Sequence, residues 1–285
     1  MIRSSCPICG NRSKLKYLWK TSIVRCSNCS FAFADELPTL GELESIYSSE
    51  YFHGEVSYAN YLADKIGLQR HFQQRISTLG KYSSGGKLFE AGCAFGFFLD
   101  LARQYWEVSG IDISDAATDY AKNVLNLCVE RGDLESHPPE PNTYDVVTLW
   151  DTIEHLYDPV TAVRTSVKAL RPNGILALTT GDIDALLPRL QRQSWRLVIP
   201  VHLYYFSRKS ISYLLNDYGL EIVHFSYASY YRSLRQMLLA LTWKKNDVRW
   251  RVSLRDAIGR LPGMGVQIPL NLYDIMFVVA RKRAS

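Results

Sequence analysis

The sequence has 285 residues, of which 47% are hydrophobic and 21% are charged, and its net charge is +5. These values are typical of a soluble globular protein that can bury a full α/β core, and they exclude a disordered or fibrous chain. The charge is uneven: residues 1–30 carry six Lys or Arg and no acid, and residues 230–262 carry eight against two acids, so the rest of the chain carries −7.

Neither export nor membrane insertion is expected from the sequence. The N-terminus lacks the apolar stretch of a signal peptide, and no run of about 18 apolar residues exists to span a bilayer. Cys93 and Cys128 are isolated in the sequence, which argues against a disulfide framework. We therefore expect a protein of the reducing cytoplasm.

The N-terminal segment has the cysteine spacing of a zinc ribbon. Cys6 and Cys9 form one CxxC pair, and Cys26 and Cys29 form a second. Two such knuckles place four thiolates around one Zn²⁺, and a closed Cys₄ site is structural. We therefore predict a zinc ribbon over residues 1–34. Its scattered basic residues leave contact with nucleic acid as a weaker alternative.

Residues 35–82 are predicted to form a connector with N-terminal helices. A short helix is expected over residues 39–47 and a longer one over residues 58–79, because apolar residues recur there near helical spacing. The aromatic residues between them either pack on the core or cap a cofactor site; they are Tyr47, Tyr51, Phe52 and Tyr58.

The stretch Lys87–Leu101 predicts a strand, a tight turn and a helix. The strand ends at Glu90, and the turn is made of small residues that let a ligand approach the backbone; they are Ala91, Gly92, Ala94 and Gly96. The loop is a weak match to a dinucleotide-binding fingerprint. On its own it could also be an ordinary connection between a strand and a helix.

Strands and helices alternate after this loop. Strands are predicted at 108–113, 127–131, 144–151 and, after an LRPNG turn, 175–180, with helices at 97–105, 114–125 and 158–170. This alternation predicts a doubly wound parallel sheet with its ligand at the carboxyl ends of the strands. Asp112 would reach a ribose there, and Asp133 would reach an adenine amino group.

The C-terminal third adds an aromatic loop, a helix and two strands. The loop spans 195–206, the helix 210–218, and the strands 220–227 and 273–281, with the last one expected to be antiparallel. The basic insertion 230–262 carries an apolar stripe at Leu234, Met237, Leu238 and Leu241. That stripe predicts core packing or a dimer contact, and the charge also suits peripheral contact with an anionic membrane.

Taken together, EAGCAFG, Asp112, Gly132-Asp133, YDVVTLWDTIEHLYDP and LRPNG resemble the class I S-adenosylmethionine (SAM) methyltransferases over residues 58–285. The resemblance implies a mostly parallel seven-stranded sheet, with residues 83–285 as the SAM-binding domain. By the same resemblance, the cofactor-binding residues are Glu90, Gly92, Cys93, Ala94, Gly96, Phe97, Asp112, Ile113, Asp133, Leu134, Trp150 and Asp151.

The zinc knuckles and the HLYYFS segment further resemble sugar C-methyltransferases, although Val201 stands where those enzymes have a glutamate. The resemblance implies a small-molecule acceptor, either a sugar or natural-product hydroxyl or a nucleotide-linked sugar. Membrane contact through residues 230–262 would instead suit a lipid-linked sugar. His202, His155 and Tyr204 are then the candidate catalytic residues, because histidine accepts protons near neutral pH. Each histidine could instead be a hydrogen-bonded structural residue.

Two other functions stay open at the level of the sequence. A methyltransferase acting on RNA could use the ribbon and the basic insertion to grip phosphates, but the acidic body disfavours nucleic acid as a partner. A scaffold that has lost catalysis could share the fold, but Glu90, Asp112 and Asp133 are retained.

Overall fold

A computed structural model of the protein describes residues 5–12, 15–38, 65–233 and 266–283. Several expectations fall outside these residues: the helix at 39–47, the aromatic cluster, the first part of the helix at 58–79, and the apolar stripe of the basic insertion.

The strands fall into three sheets within the described part of the chain. They are β1 (Leu15–Tyr17), β2 (Ile23–Cys26), β3 (Ala32–Ala34), β4 (Lys87–Ala91), β5 (Glu107–Asp112), β6 (Cys128–Arg131), β7 (Tyr144–Trp150), β8 (Leu170–Gly181), β9 (Tyr204–Tyr205), β10 (Leu220–Tyr227), β11 (Tyr230–Ser233), β12 (Gln267–Leu270) and β13 (Ile275–Lys282).

The central sheet has seven strands among the described residues, in the order β10-β13-β8-β7-β4-β5-β6. The strands β8, β7, β4, β5 and β6 are parallel to one another. Strand β13 is antiparallel to both β8 and β10. The middle strands are buried along most of their length because helices cover both faces. This arrangement confirms the predicted fold class, including the antiparallel last strand.

The structure describes six α-helices, three of which begin at a residue whose side chain caps the helix. They are α1 (Lys65–Leu79), α2 (Phe97–Ala102), α3 (Asp115–Asn123), α4 (Pro159–Ala169), α5 (Leu186–Gln191) and α6 (Arg208–Asp217). Ser114 caps α3, Asp158 caps α4 ahead of a proline, and Ser207 forms a capping box with Ser210 on α6. No helix in this part of the chain is long and apolar enough to cross a membrane.

A small antiparallel sheet contains the N-terminal strands. Its order is β1-β2-β3-β9, so its last strand comes from the aromatic loop rather than from the N-terminal segment. Phe33 pairs with Tyr204 in this sheet, and Ala32 pairs with Tyr205. Phe31 is fully buried against Tyr204 and Phe206. The ribbon and the larger sheet therefore share one hydrophobic core.

Two predicted boundaries are wrong. The helix expected to reach residue 105 ends at Ala102, and residues 103–105 form turns. The LRPNG turn was expected to precede the fifth strand, but it lies inside β8 as an irregularity, where Tyr144 pairs with Leu170 and Val146 pairs with Ile175. The residues between these two pairs are absorbed by a bulge, which sequence periodicity does not reveal.

Candidate functional site

A cavity of about 560 Å³ opens at the carboxyl ends of β4, β5 and β7. This is the edge of the sheet where a parallel α/β fold binds its ligand. Helix α1 forms one wall, and β11, β12 and the loop before β9 contribute to the others. The cavity brings together most of the residues that the sequence proposed for cofactor binding.

The glycine loop after β4 lines the cavity through Gly92, Cys93 and Ala94. Gly92 has a φ of +73°, and a Cβ there would lie 2.6 Å from Thr152 Oγ1, so only glycine fits. Ala94 has a φ of +44° although it carries a side chain. Its strained backbone is held by the N–H, which donates to Asp112 Oδ2 at 2.8 Å.

Two residues proposed from the same loop do not reach the cavity. A Cβ on Gly96 would lie 2.5 Å from Leu127 Cδ1, so this glycine allows close packing beneath the loop. Phe97 is 1% exposed and lies in the hydrophobic core. Their contribution is to the shape of the loop.

The acidic residues predicted near the ends of the first three strands of the SAM-binding domain lie on the cavity wall; they are Glu90, Asp112 and Asp133. Glu90 is buried, its Oε2 has no hydrogen-bond partner among the described residues, and burial raises its pKa well above the ordinary value. Burial also raises the pKa of Asp112, against hydrogen bonds from the N–H groups of Ser114 and Ala94. Asp133 is exposed and accepts hydrogen bonds from the N–H groups of Glu135 and Ser136.

The residues predicted to lie beside the adenine and the sulfonium of SAM also line the cavity wall. Ile113, Leu134, Trp150 and Asp151 all line the cavity. Asp151 has a φ of +51°, an unusual backbone conformation at the end of a buried strand. Its carboxylate accepts a hydrogen bond from Tyr230 at 2.7 Å and lies 3.5 Å from Arg75 Nη2.

The structure brings His155 and His202 together at one end of this cavity. Their ring centroids are 4.5 Å apart and both residues line the wall. Burial lowers the pKa of His155 to about 4 and that of His202 well below its ordinary value. Burial, reinforced by Asp151, raises the pKa of the adjacent Glu154 to about 8. Two neutral imidazoles and one buried carboxyl group therefore face each other.

Tyr204, the third predicted catalytic residue, lies elsewhere. It belongs to β9, does not line the cavity, and donates its hydroxyl hydrogen to the carbonyl of Tyr157 at 2.6 Å. The sequence did not reveal this position of Tyr204, because β9 forms by pairing with the distant strand β3.

Sequence reasoning missed Arg75, Tyr230 and Arg196, which also line the cavity. Arg75 is 3% exposed, and its guanidinium lies 4.7 Å from the centre of the Trp150 ring. A signal for it exists, since Arg75 falls three residues after Phe72 and four before Leu79, on the apolar face of α1. Tyr230 and Arg196 carry no comparable pattern.

The four N-terminal cysteines form a second cluster. Their sulfur atoms all lie within 4.8 Å of one another; Cys6 and Cys29 are 3.5 Å apart, and Cys9 and Cys26 are 3.6 Å apart. Four thiolates at about 2.3 Å from a central Zn²⁺ would be about 3.8 Å apart. A hydrogen bond from Cys29 and others from backbone N–H groups, against burial, lower the pKa of Cys6 to about 5. The donors present therefore fit a zinc ion.

Solved structures share this fold. A SAM-dependent methyltransferase from Archaeoglobus fulgidus superposes with a TM-score of 0.52 at 15% identity, covering 79% of this chain and 100% of the other. The YcgJ protein from Bacillus subtilis superposes with a TM-score of 0.53 at 16% identity, covering 76% and 99%. The fold is therefore that of the class I SAM-dependent methyltransferases.

The curated relatives match only part of this chain. A ubiquinone biosynthesis O-methyltransferase of Coxiella burnetii is 26% identical over 117 residues, which is 39% of this chain and 48% of the relative. One from Aliivibrio fischeri is 30% identical over 103 residues, covering 34% and 44%. The match thus spans about half the length of these relatives.

Residues 65–225 match the protein family described as Methyltransferase domain. This range is more than half of the chain and contains the glycine loop, the acidic strand ends and both histidines of the cavity. The protein belongs to this methyltransferase family and has the fold of the SAM-dependent methyltransferases.

Proposed function

We propose that this protein transfers the methyl group of SAM to a hydroxyl group of a small-molecule acceptor. One observation supports this above the others: a single cavity joins acidic strand ends that suit SAM to a buried histidine pair that suits an acceptor. The curated relatives named above are O-methyltransferases, which favours oxygen as the accepting atom.

The cofactor is proposed to lie over the glycine loop. The Asp112 carboxylate would accept the ribose hydroxyls, since it accepts two N–H groups and a carboxylate has about four acceptor positions. The Oε2 of Glu90, which has no partner within the described ranges, would accept from the ammonium group of the methionine part. Asp133 and Leu134 would flank the adenine, and Trp150 and Asp151 would lie beneath the sulfonium.

The acceptor is proposed to enter beside His155 and His202. Its hydroxyl oxygen would attack the methyl carbon in line with the carbon–sulfur bond, whose electron pair stays on sulfur to give S-adenosylhomocysteine. The hydroxyl proton would pass to Nε2 of His202. Both histidines are neutral at pH 7 and therefore able to accept a proton.

A sugar or natural product bearing an acidic group is the acceptor class we propose. Arg232 lines the cavity near His71, and Arg196 lines it near His202 with one guanidinium nitrogen 2.9 Å from Asp274 Oδ1. Guanidinium groups favour phosphate or carboxylate, as in a nucleotide- or lipid-linked sugar.

The ribbon is proposed to hold one structural zinc ion through Cys6, Cys9, Cys26 and Cys29. We propose residues 1–34 as the ribbon, residues 35–82 as a connector, and residues 83–285 as the SAM-binding domain. None of the six cysteines forms a disulfide bond, which suits a reducing compartment such as the cytoplasm.

Calorimetric titration with SAM tests the proposed function. We expect wild-type protein to bind SAM and Asp112→Asn to bind it at least tenfold more weakly, because a charge-assisted pair to the ribose is lost. Asp115→Asn serves as the matched control, since that carboxylate is exposed and pairs with Arg131 outside the cavity. Equal SAM affinity for wild type and Asp112→Asn would contradict the proposed placement.

A further inference from the structure

We propose that Glu154, His155 and His202 form a binding site for one divalent metal ion at the acceptor end of the cavity. Their candidate ligand atoms all lie within 4.8 Å of one another. Glu154 and His202 are each 4% exposed, so the group is buried beside the cavity and is unlike the acidic clusters found on protein surfaces. This inference concerns the cavity and is independent of the cysteine cluster in the ribbon.

The hydrogen bonds of the two imidazoles fix the same tautomer on each. His155 Nδ1 lies 3.1 Å from the carbonyl oxygen of Val201, and His202 Nδ1 lies 2.9 Å from that of Leu197. A carbonyl only accepts, so each Nδ1 carries the proton and each Nε2 carries the lone pair. Histidine ligands of metal ions characteristically donate their other N–H to a carbonyl in this way.

Glu154 would supply the negative charge by giving up its proton when the ion binds. Its Oε2 is buried and has no hydrogen-bond partner among the described residues. Burying an unpaired carboxylate is unfavourable, and a bound dication would compensate for it. The backbone of Glu154 also ties the two halves of the site together, because its carbonyl accepts a hydrogen bond from the N–H of Leu203 at 2.9 Å. The three donors are thus held in place before any metal binds.

The donor set indicates which ions fit. Two imidazole nitrogens and one carboxylate oxygen suit Mn²⁺, Fe²⁺, Co²⁺ or Zn²⁺ better than Mg²⁺ or Ca²⁺, which prefer oxygen ligands alone. Three protein ligands leave coordination positions open toward the cavity, as in catalytic metal sites.

The catalytic consequence rests on the proposed function. An acceptor hydroxyl that ligates the ion would lose its proton to solvent water more easily, because the cation stabilises the resulting oxyanion. That oxyanion would then attack the methyl carbon, and the sulfur would keep the electron pair of the broken bond. In this form of the reaction, the histidines hold the ion instead of accepting the proton themselves.

Titration with Mn²⁺ alone, with unbound ion measured by electron paramagnetic resonance, tests the site. Mn²⁺ is chosen because thiolates bind it poorly, so the ribbon does not compete. We expect one Mn²⁺ per wild-type chain and at least tenfold weaker binding for both Glu154→Gln and His202→Asn. His224→Asn is the control, because His224 lies outside the cavity, and we expect it to bind like wild type.

The proposed site is overturned if wild-type protein binds no Mn²⁺ at millimolar concentration, or if Glu154→Gln and His202→Asn bind it as tightly as wild type. SAM titration without metal separates this outcome from the proposed function. SAM binding with no Mn²⁺ binding would reject the metal site alone. Mn²⁺ binding that the two variants lose, with no SAM binding, would support the metal site and reject the proposed function.

Discussion

Glu90 is a single carboxyl group whose environment opposes its charge. It lies near the end of β4, is 2% exposed, and its Oε2 has no hydrogen-bond partner in the part of the chain that the structure describes. Burial raises its pKa, Arg75 opposes that increase, and Asp112 adds to it. A residue of this kind stabilises the folded protein only while it is protonated, and a positively charged ligand group beside it would draw off the proton.

Glu90→Gln is expected to make the free protein less sensitive to rising pH. Because the pKa of folded Glu90 lies above the ordinary 4.5, its contribution to stability is complete below that value and is lost as pH rises toward the folded pKa. The stability of the variant relative to wild type should therefore rise by up to about 1.4 kcal/mol per pH unit above pH 4.5. Denaturant unfolding at several pH values measures the difference, and a difference independent of pH would contradict it.

The sequence predicted the positions of individual side chains less well than it predicted strands and helices. Glu90, Asp112 and Asp133 were found because they follow predicted strands, and the structure places all three on the cavity wall. Tyr204 and Phe97 were misplaced, since side-chain direction depends on β9 pairing and on core packing. Arg75 was missed because a charged side chain is ordinarily exposed, whereas this one is buried on the apolar face of α1.

The two knuckles are the elements that repeat within the chain. Gly10 N–H donates to the carbonyl of Cys6 at 2.9 Å, and Ser30 N–H donates to that of Cys26 at 2.9 Å. Gly10 has a φ of +67°, and Ser30 has a φ of +66° at the corresponding position. Both turns thus have the same backbone shape, although only one has glycine, and that repetition is what a tetrahedral Cys₄ site requires.

Purified wild-type protein is expected to contain one zinc ion per chain when prepared under reducing conditions. Cys6→Ser should reduce the zinc content and lower the melting temperature, because a thiolate ligand is lost from a closed site. Cys128→Ser is the matched control, since that thiol is exposed on β6 and lies outside the cluster. Elemental analysis together with thermal unfolding measures both effects. A Cys6→Ser protein with the zinc content and melting temperature of wild type would contradict the assignment.

At the scale of elements, the sequence predicted most of the fold. Strands and helices were identified because hydrophobic period and capping residues agree, as at Ser114 and Asp158. The β8 bulge and strand β9 were not predicted, because each depends on a partner strand rather than on its own residues.

On the scale of the whole molecule, the ribbon and the candidate active site are connected through one strand pair. Ala34 N–H donates to the carbonyl of Leu203 at 2.9 Å, immediately after His202. Phe31 stacks on Tyr204 with 5.6 Å between ring centroids. The ribbon therefore helps to fix the loop that carries one of the two histidines.

Phe31→Leu is expected to slow methyl transfer while leaving SAM affinity close to that of wild type. The smaller side chain loosens the packing behind β9, whereas the glycine loop lies elsewhere in the cavity wall. Phe225→Leu on β10 is the control and should leave turnover unchanged. Radiolabelled methyl transfer and SAM calorimetry provide the two measurements. A parallel loss of SAM affinity in Phe31→Leu would indicate general destabilisation instead.

The pairing of β3 with β9 also limits how this protein can be recombined with its relatives. A chimera that imports only residues 5–38 from another methyltransferase would bring a strand whose hydrogen-bonding partner was never matched to it. The exchangeable unit is discontinuous, and it comprises the ribbon together with residues 203–206. Comparisons of ribbon-bearing methyltransferases should therefore show these two segments changing in concert, although about 170 positions separate them in the chain.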